Sequence, residues 1–168
     1  KKPQLNFKGI GLFDAIDCIN VSSSKGNADI VYFEGFKNTV LRWKWLRKKY
    51  KFVISGKSYS PVNTTEYSSE REIVNKNAII FPKLIRAFSM SSDHESSEGL
   101  NLLLFVLDEY SSFKTKTQKA NSEKIFSMCM TSAKTRFLNK YKGLVISFVR
   151  FKGDPITKLI NEYEDNIN

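Results

Sequence analysis

Six consecutive apolar residues, 102–107, run directly into two adjacent carboxylates, Asp108 and Glu109. A continuous apolar run of this length predicts a strand that is covered on both faces, as in the centre of a parallel sheet. Parallel neighbours require a connection of helix length between them. The chain must therefore alternate strands with helices around this run, which predicts an α/β fold.

A second apolar run, residues 144–148, follows a segment with a helical pattern at residues 120–134. We predict that the two apolar runs form buried, parallel, neighbouring strands of one central sheet. The carboxyl ends of parallel strands meet at one edge of a sheet, so Asp108 and Ser147 should lie at the same edge.

The other segments fit the same alternation. Residues 28–50 give the strongest helix prediction, because apolar side chains recur every two to four residues and no proline interrupts them. This helix should pack one face on the sheet. The remaining predicted elements are a strand at residues 15–21, a strand in "KFVIS", a hairpin of "NAIIF" and "LIRAFSM" joined at Pro82 and Lys83, and a last helix that begins at Asp154 and Pro155.

Composition favours a single domain, residues 1–168, with a polyanionic partner. The chain has 27 Lys and Arg against 17 Asp and Glu, a net charge of +10 that should attract nucleic acid. Cys18 and Cys129 match no metal-ligand spacing, and the lone His94 lies in a polar loop, so we expect reduced thiols and no structural zinc. No apolar run approaches the roughly 20 residues of a membrane span. Without a signal peptide, we expect a cytoplasmic protein that contacts no membrane.

Five basic residues crowd the end of the predicted helix at residues 28–50, and we call them the basic cluster: Arg42, Lys44, Arg47, Lys48 and Lys49. Cations near the carboxyl end of a helix complement its dipole, which is one interpretation. Aromatic residues between the cations also suit nucleic-acid binding, which is the other.

The carboxylate pair suggests a chemical role. A hydrophobic strand that ends in Asp-Glu is the Walker B arrangement of nucleotide hydrolases, in which Asp108 would hold Mg²⁺ and Glu109 would act as general base on the attacking water. The alternative is an acidic residue that caps the next helix. Ser147 and Arg150 lie near the end of the neighbouring run, where a polar residue can sense the γ-phosphate of a nucleotide.

Three segments, in this order, resemble the ATPase domain of phage large terminase subunits: "EGLNLLLFVLDEYSSFK", "SMCMTSAKTRF" and "KGLVISFVRFKGDPI". The earlier stretch "INVSSSKGNADIVYFEGFKNTVLRWKWLRKKY" resembles the strand and long helix of that family. The resemblance covers residues 16–160 and implies a P-loop NTPase fold of the ASCE type, here incomplete, with a central, mostly parallel sheet flanked by helices.

The resemblance also implies a function. Hydrolysis of Mg-ATP would drive translocation of double-stranded DNA into a procapsid, in the host cytoplasm if the protein is viral. Ser147 and Arg150 would couple hydrolysis to movement, and Arg86 or Arg136 would act on a neighbouring subunit's nucleotide in a ring homo-oligomer. The portal and the small terminase subunit would be partners.

The chain departs from that family in two ways. No GxxxxGK[ST] motif is present, because Lys25, Lys57 and Lys142 each adjoin a glycine but none lies in that pattern. We expect the phosphate-binding loop upstream of Lys1 and expect no nuclease domain after Asn168, so we interpret the chain as a fragment or truncated product of a terminase motor. Whether this chain alone hydrolyses ATP is therefore an open question. The competing interpretations are a non-catalytic, basic nucleic-acid-binding α/β module derived from such an ATPase, and an ordinary basic α/β domain.

Overall fold

A computed structural model describes residues 15–24, 26–45, 52–54, 57–59, 78–81, 85–92, 99–114, 117 and 120–165. Among these residues, no helix is both long enough and apolar enough to cross a membrane. The strands are β1 (Ile16–Ser22), β2 (Phe52–Ile54), β3 (Lys57–Tyr59), β4 (Ala78–Phe81), β5 (Ile85–Ser91), β6 (Leu102–Asp108) and β7 (Lys142–Ile146). Helix α1 begins as a π-helical segment (Asn27–Phe33) and continues as an α-helix (Glu34–Arg42); α2 is Ser122–Phe137 and α3 is Pro155–Asp165.

The strands form one sheet in the order β3-β2-β4-β5-β1-β6-β7. Its centre is parallel, because β1 pairs with β5 on one side and β6 on the other, and β6 pairs with β7. The antiparallel strands β4, β2 and β3 extend the sheet beyond β5. The predicted α/β class is confirmed, as are the parallel pairing of the two apolar runs and the strand pair of the predicted hairpin.

Helix α2 covers one face of the parallel centre. Ile125, Cys129 and Ala133 recur at intervals of four residues, so they share one side of the helix, and all three are buried against Phe105 and Leu107 of β6. Burial raises the pKa of the Cys129 thiol to about 12, so this thiol stays protonated and packs as a small apolar group. The helix predicted at residues 120–134 is thus present.

Strand β7 corrects one prediction, because it is not buried. It lies at the end of the sheet, and the side chains of Leu144 and Ile146 are 52% and 44% exposed. An apolar run indicates that a strand is extended, but it does not reveal whether another element covers it. Gly143 is required on the other face, where a Cβ atom would lie 2.3 Å from Cζ of Phe105.

Helix α1 is shorter than the sequence predicts. It ends at Arg42, because Trp43 has an extended backbone (φ −74°, ψ 90°) while its N–H still donates to the Thr39 carbonyl. Its π-helical segment packs on β5 and β1, as predicted for one face of this helix. Arg42 is in the last turn, whereas Arg47, Lys48 and Lys49 of the basic cluster lie outside the described residues. The apolar periodicity continues past Arg42 and so gave no signal for the helix end.

The amino-terminal edge of the sheet contains a buried ion pair. The Asp17 side chain is fully buried, and its Oδ1 atom accepts a hydrogen bond from Nε of Arg86 at 2.7 Å. Its Oδ2 atom accepts a second bond from the Asn101 backbone N–H at 3.0 Å. Asp17 and Arg86 are register partners on β1 and β5, so the pair fixes these two central strands against each other.

Candidate functional site

The candidate site lies where the parallel strands end. β1, β5, β6 and β7 run in the same direction, so the segments that follow them meet at one edge of the sheet. The backbone N–H of Ser92, after β5, donates to the Ser22 carbonyl at 2.9 Å and holds the ends of these two strands together. Asp108 is the register partner of Ile146, so Ser147 follows at the predicted edge.

Asp108 faces away from the α2 core. Val21 and Leu107 are register partners, and both belong to that core, so the residues that follow them, Ser22 and Asp108, face the side of the sheet that α1 covers. Asp108 is 7% exposed. Its carboxylate accepts a hydrogen bond from the Tyr32 hydroxyl of α1, and this bond is the main reason that the pKa of Tyr32 is raised to about 12. Tyr32 is therefore a hydrogen-bond donor throughout the neutral pH range.

Glu109 has a left-handed backbone conformation, with φ 57° and ψ 38°. A non-glycine residue in this region costs on the order of 1–3 kcal/mol, and such residues cluster at functional sites. The turn directs the Glu109 carboxylate toward the loop after β1. There Oε2 accepts hydrogen bonds from the Ser23 hydroxyl and, at 3.3 Å, from Nδ2 of Asn27.

The loop that joins β1 to α1 is the part of the site that sequence reasoning missed. Ser23, Asn27 and Tyr32 lie more than 75 positions before the carboxylates that they contact. The available signal was a short polar loop, "SSSKGN", between a strand and a helix, which is the strand-loop-helix order of a phosphate-binding loop. The expectation of a phosphate-binding loop upstream of Lys1 stays a prediction. Lys25 of this loop lies outside the described residues.

The residues at this edge fit a magnesium ion. Two carboxylates, Asp108 and Glu109, are adjacent, and oxygen ligands that leave room for several waters are what Mg²⁺ prefers. The buried Ser22 hydroxyl, on the same face as Asp108, has no hydrogen-bond partner among the described residues. No group of three or more His, Cys, Asp or Glu that could hold a metal ion occurs in the described part of the chain.

Ser147 and Arg150 are linked to the turn that follows Glu109. The Ser111 backbone N–H donates to Oγ of Ser147 at 2.9 Å, and Nη2 of Arg150 donates to the Ser112 hydroxyl. The Arg150 backbone N–H donates to the buried Asp154 at 2.8 Å. This bond and those from Thr157 and Ser111 hold the pKa of Asp154 below its ordinary value, despite burial. The ends of β6 and β7 are thus joined by direct hydrogen bonds.

The two arginines proposed to act in trans lie elsewhere. Arg86 pairs with Asp17 at the amino-terminal edge of the sheet, so its place in the fold is explained by that ion pair. Arg136 is in the last turn of α2, a helix that starts beside Tyr110 and runs back toward the beginning of β7. Arg42 and Lys44 of the basic cluster are exposed.

A parallel sheet centre, a strand-loop-helix unit and paired carboxylates at the adjacent strand end together define an α/β domain of the P-loop type. The chain belongs to the family of the N-terminal P-loop domain of the uncharacterized protein MJ0330, whose model matches residues 1–168. MJ0330 of Methanocaldococcus jannaschii is 31% identical to this chain over an alignment of 145 residues, and the match covers 83% of this chain and 23% of that protein. The chain thus spans about a quarter of the length of this curated relative. No solved structure matches the chain.

Proposed function

We propose that this chain is the nucleotide-binding domain of a nucleoside triphosphatase and binds a Mg-nucleotide at the carboxyl edge of its sheet. The observation that carries the proposal is the contact of Glu109 with Ser23 and Asn27. It brings the loop after β1 and the carboxylates after β6 into one site, which is the combination that Mg-nucleotide chemistry needs.

In this proposal each side chain has a separate role. Asp108 provides an oxygen ligand for Mg²⁺, with the Ser22 hydroxyl on the same face of the sheet. When bound, Mg²⁺ would neutralise negative charge on the phosphates. Glu109 accepts a proton from water as general base, and the bonds from Ser23 and Asn27 position its carboxylate. The Tyr32 hydroxyl orients Asp108.

The start of α1 faces this site and offers phosphate-binding groups. Its first backbone N–H groups, those of Asn27 and Ala28, donate to Oγ and to the carbonyl of Ser24 at 3.2 Å and 3.0 Å. Phosphate binding at the helix start requires Ser24 to give up these two donors. We therefore propose that the Ser24 turn opens when a nucleotide binds.

Asp108→Asn tests the proposal directly. Because the amide is a poorer ligand for a hard cation, we expect the Mg²⁺ concentration for half-maximal nucleotide binding to rise at least about tenfold. The measurement is a titration of the protein and a fluorescent ATP analogue with Mg²⁺. Asp165→Asn, at an exposed position on α3, is the matched control and should leave the titration unchanged. Nucleotide binding that is independent of Mg²⁺, or unaffected by Asp108→Asn, would contradict the proposal.

A DNA-translocating motor of the terminase type is the finer proposal, in a ring homo-oligomer with portal and small terminase subunit as partners. The order of the motifs supports it, together with the net charge of +10. The bond between Ser111 and Ser147 supports a coupling role for Ser147, because it links the turn after the catalytic carboxylate to the next strand end. The alternative is a basic nucleic-acid-binding module without hydrolysis, which would bind DNA but not turn over ATP.

Duplex DNA binding should be independent of sequence and should weaken steeply with salt, because counterion release drives it. Replacing Arg47, Lys48 and Lys49 with alanine together should lower affinity and reduce the salt slope by up to about three. Fluorescence anisotropy at several salt concentrations measures both quantities. The triple alanine variant of the exposed Lys124, Lys134 and Lys140 is the charge-matched control. If both triple variants bind like the wild type, these three residues make no contribution to DNA binding.

A further inference from the structure

Strand β7 has an open edge. It is the last strand in the sheet order, and its five residues pair with β6 on one side only, while no strand pairs with its other side in the described part of the chain. An open edge presents backbone N–H and C=O groups in the spacing that another extended chain matches. Native edge strands are usually covered or interrupted, so an open apolar one indicates a place where something binds.

Both faces beside this edge are apolar. On one face, Leu104, Leu144 and Ile146 are 39%, 52% and 44% exposed, which leaves a continuous aliphatic surface across β6 and β7. On the other face, Val145 borders a cavity of about 210 Å³ whose walls include the rings of Phe105 and Tyr141. A strand added beside β7 would place alternate side chains over these two faces, because successive residues point to opposite sides.

The charge of this region selects the partner. Residues 138–153 contain four basic residues, Lys140, Lys142, Arg150 and Lys152, and no acidic one. An approaching segment therefore needs acidic side chains. Nucleic acid would also be attracted by the positive charge. However, its backbone cannot form a β-ladder, and aliphatic residues such as Leu144 and Ile146 are not typical nucleic-acid contacts. These observations favour a peptide.

We propose that the open edge of β7 binds an extended, acidic segment of a partner protein as an added strand. Backbone hydrogen bonds along Lys142–Ile146 give affinity, and the exposed aliphatic face of Leu104, Leu144 and Ile146 selects an apolar side chain at every second position. The aliphatic face of this edge adjoins the nucleotide site, because Ile146 is the register partner of Asp108.

The probe is a synthetic acidic peptide, Glu-Val-Glu-Val-Glu-Val-Glu, added to the full chain and followed by calorimetry and by amide hydrogen exchange. We expect saturable binding and slower exchange of the β7 amides. The same peptide with alternate backbone nitrogens methylated loses its donors on one edge and should bind at least about tenfold more weakly. Equal binding of both peptides would show charge attraction alone and overturn the proposal.

The double variant Leu144→Thr with Ile146→Thr keeps strand-forming residues but removes apolar area, so peptide affinity should fall about tenfold or more. The control is Phe36→Gln with Trp43→Gln, which removes exposed apolar side chains from α1 and the residue after it and should not change binding. Loss of affinity in the control, or none in the β7 variant, would contradict the site. A 15-nucleotide oligo(dT) tests the nucleic-acid alternative: if it binds at β7 in place of the peptide, with binding lost in the threonine variant, the proposed partner is wrong.

Discussion

Replacing Glu109 with glutamine should lower the rate of ATP hydrolysis by roughly 10²- to 10⁴-fold, the usual contribution of a general base. The amide keeps the size of the side chain and can still accept hydrogen bonds from Ser23 and Asn27, but it cannot take a proton from water. Mg-nucleotide binding should therefore remain close to that of the wild type, because Asp108 is unchanged. Phosphate release, measured in the intact protein that carries this domain, gives the rate.

Two further variants sharpen this test. Glu123→Gln removes a carboxylate of the same type from an exposed position on α2, where the side chain is 74% exposed, and should leave hydrolysis unchanged. Ser23→Ala removes one of the donors to Glu109 and should lower the rate less than Glu109→Gln, because it disturbs the position of the base without removing it. A Glu109→Gln protein with wild-type turnover would mean that the carboxylate only fixes the loop.

Arg86→Ala should lower the free energy of unfolding by about 3–5 kcal/mol, the cost of removing one partner of a buried ion pair. The Asp17 carboxylate would keep only the bond from the Asn101 N–H, and its charge would stay fully buried between the central strands. Urea unfolding followed by circular dichroism measures the change. The pair of Lys158 and Glu123 serves as control, because both side chains are more than half exposed and Lys158→Ala should cost at most about 1 kcal/mol.

The two roles considered for Arg86 give opposite results. If Arg86 is a structural partner of Asp17, its removal lowers the free energy of unfolding. An arginine that acts on a neighbouring subunit's nucleotide would instead leave unfolding unchanged and lower turnover. A loss of stability below about 1 kcal/mol would therefore argue against the buried pair as a major contribution.

The sequence by itself was sufficient for the features that depend on local pattern. The apolar run before Asp108 predicted a strand in the middle of a layered fold, and this placed the carboxylate pair at a strand end. The segment between this run and β7 is long enough for the helical connection that parallel strands require. Periodicity and chain order thus gave the α/β class, the parallel neighbours and the shared edge of Asp108 and Ser147.

Only the tertiary structure decided which distant residues complete the site and which surfaces stay open. Ser23 and Asn27 reach Glu109 because β1 lies beside β6, and Arg86 belongs to Asp17 because β5 lies on the other side of β1. The exposure of β7 likewise depends on its place at the end of the sheet. The packing of the whole chain sets the order of the strands and decides which strands other elements cover. The local sequence does not reveal either feature, because the same apolar pattern occurs in central and edge strands.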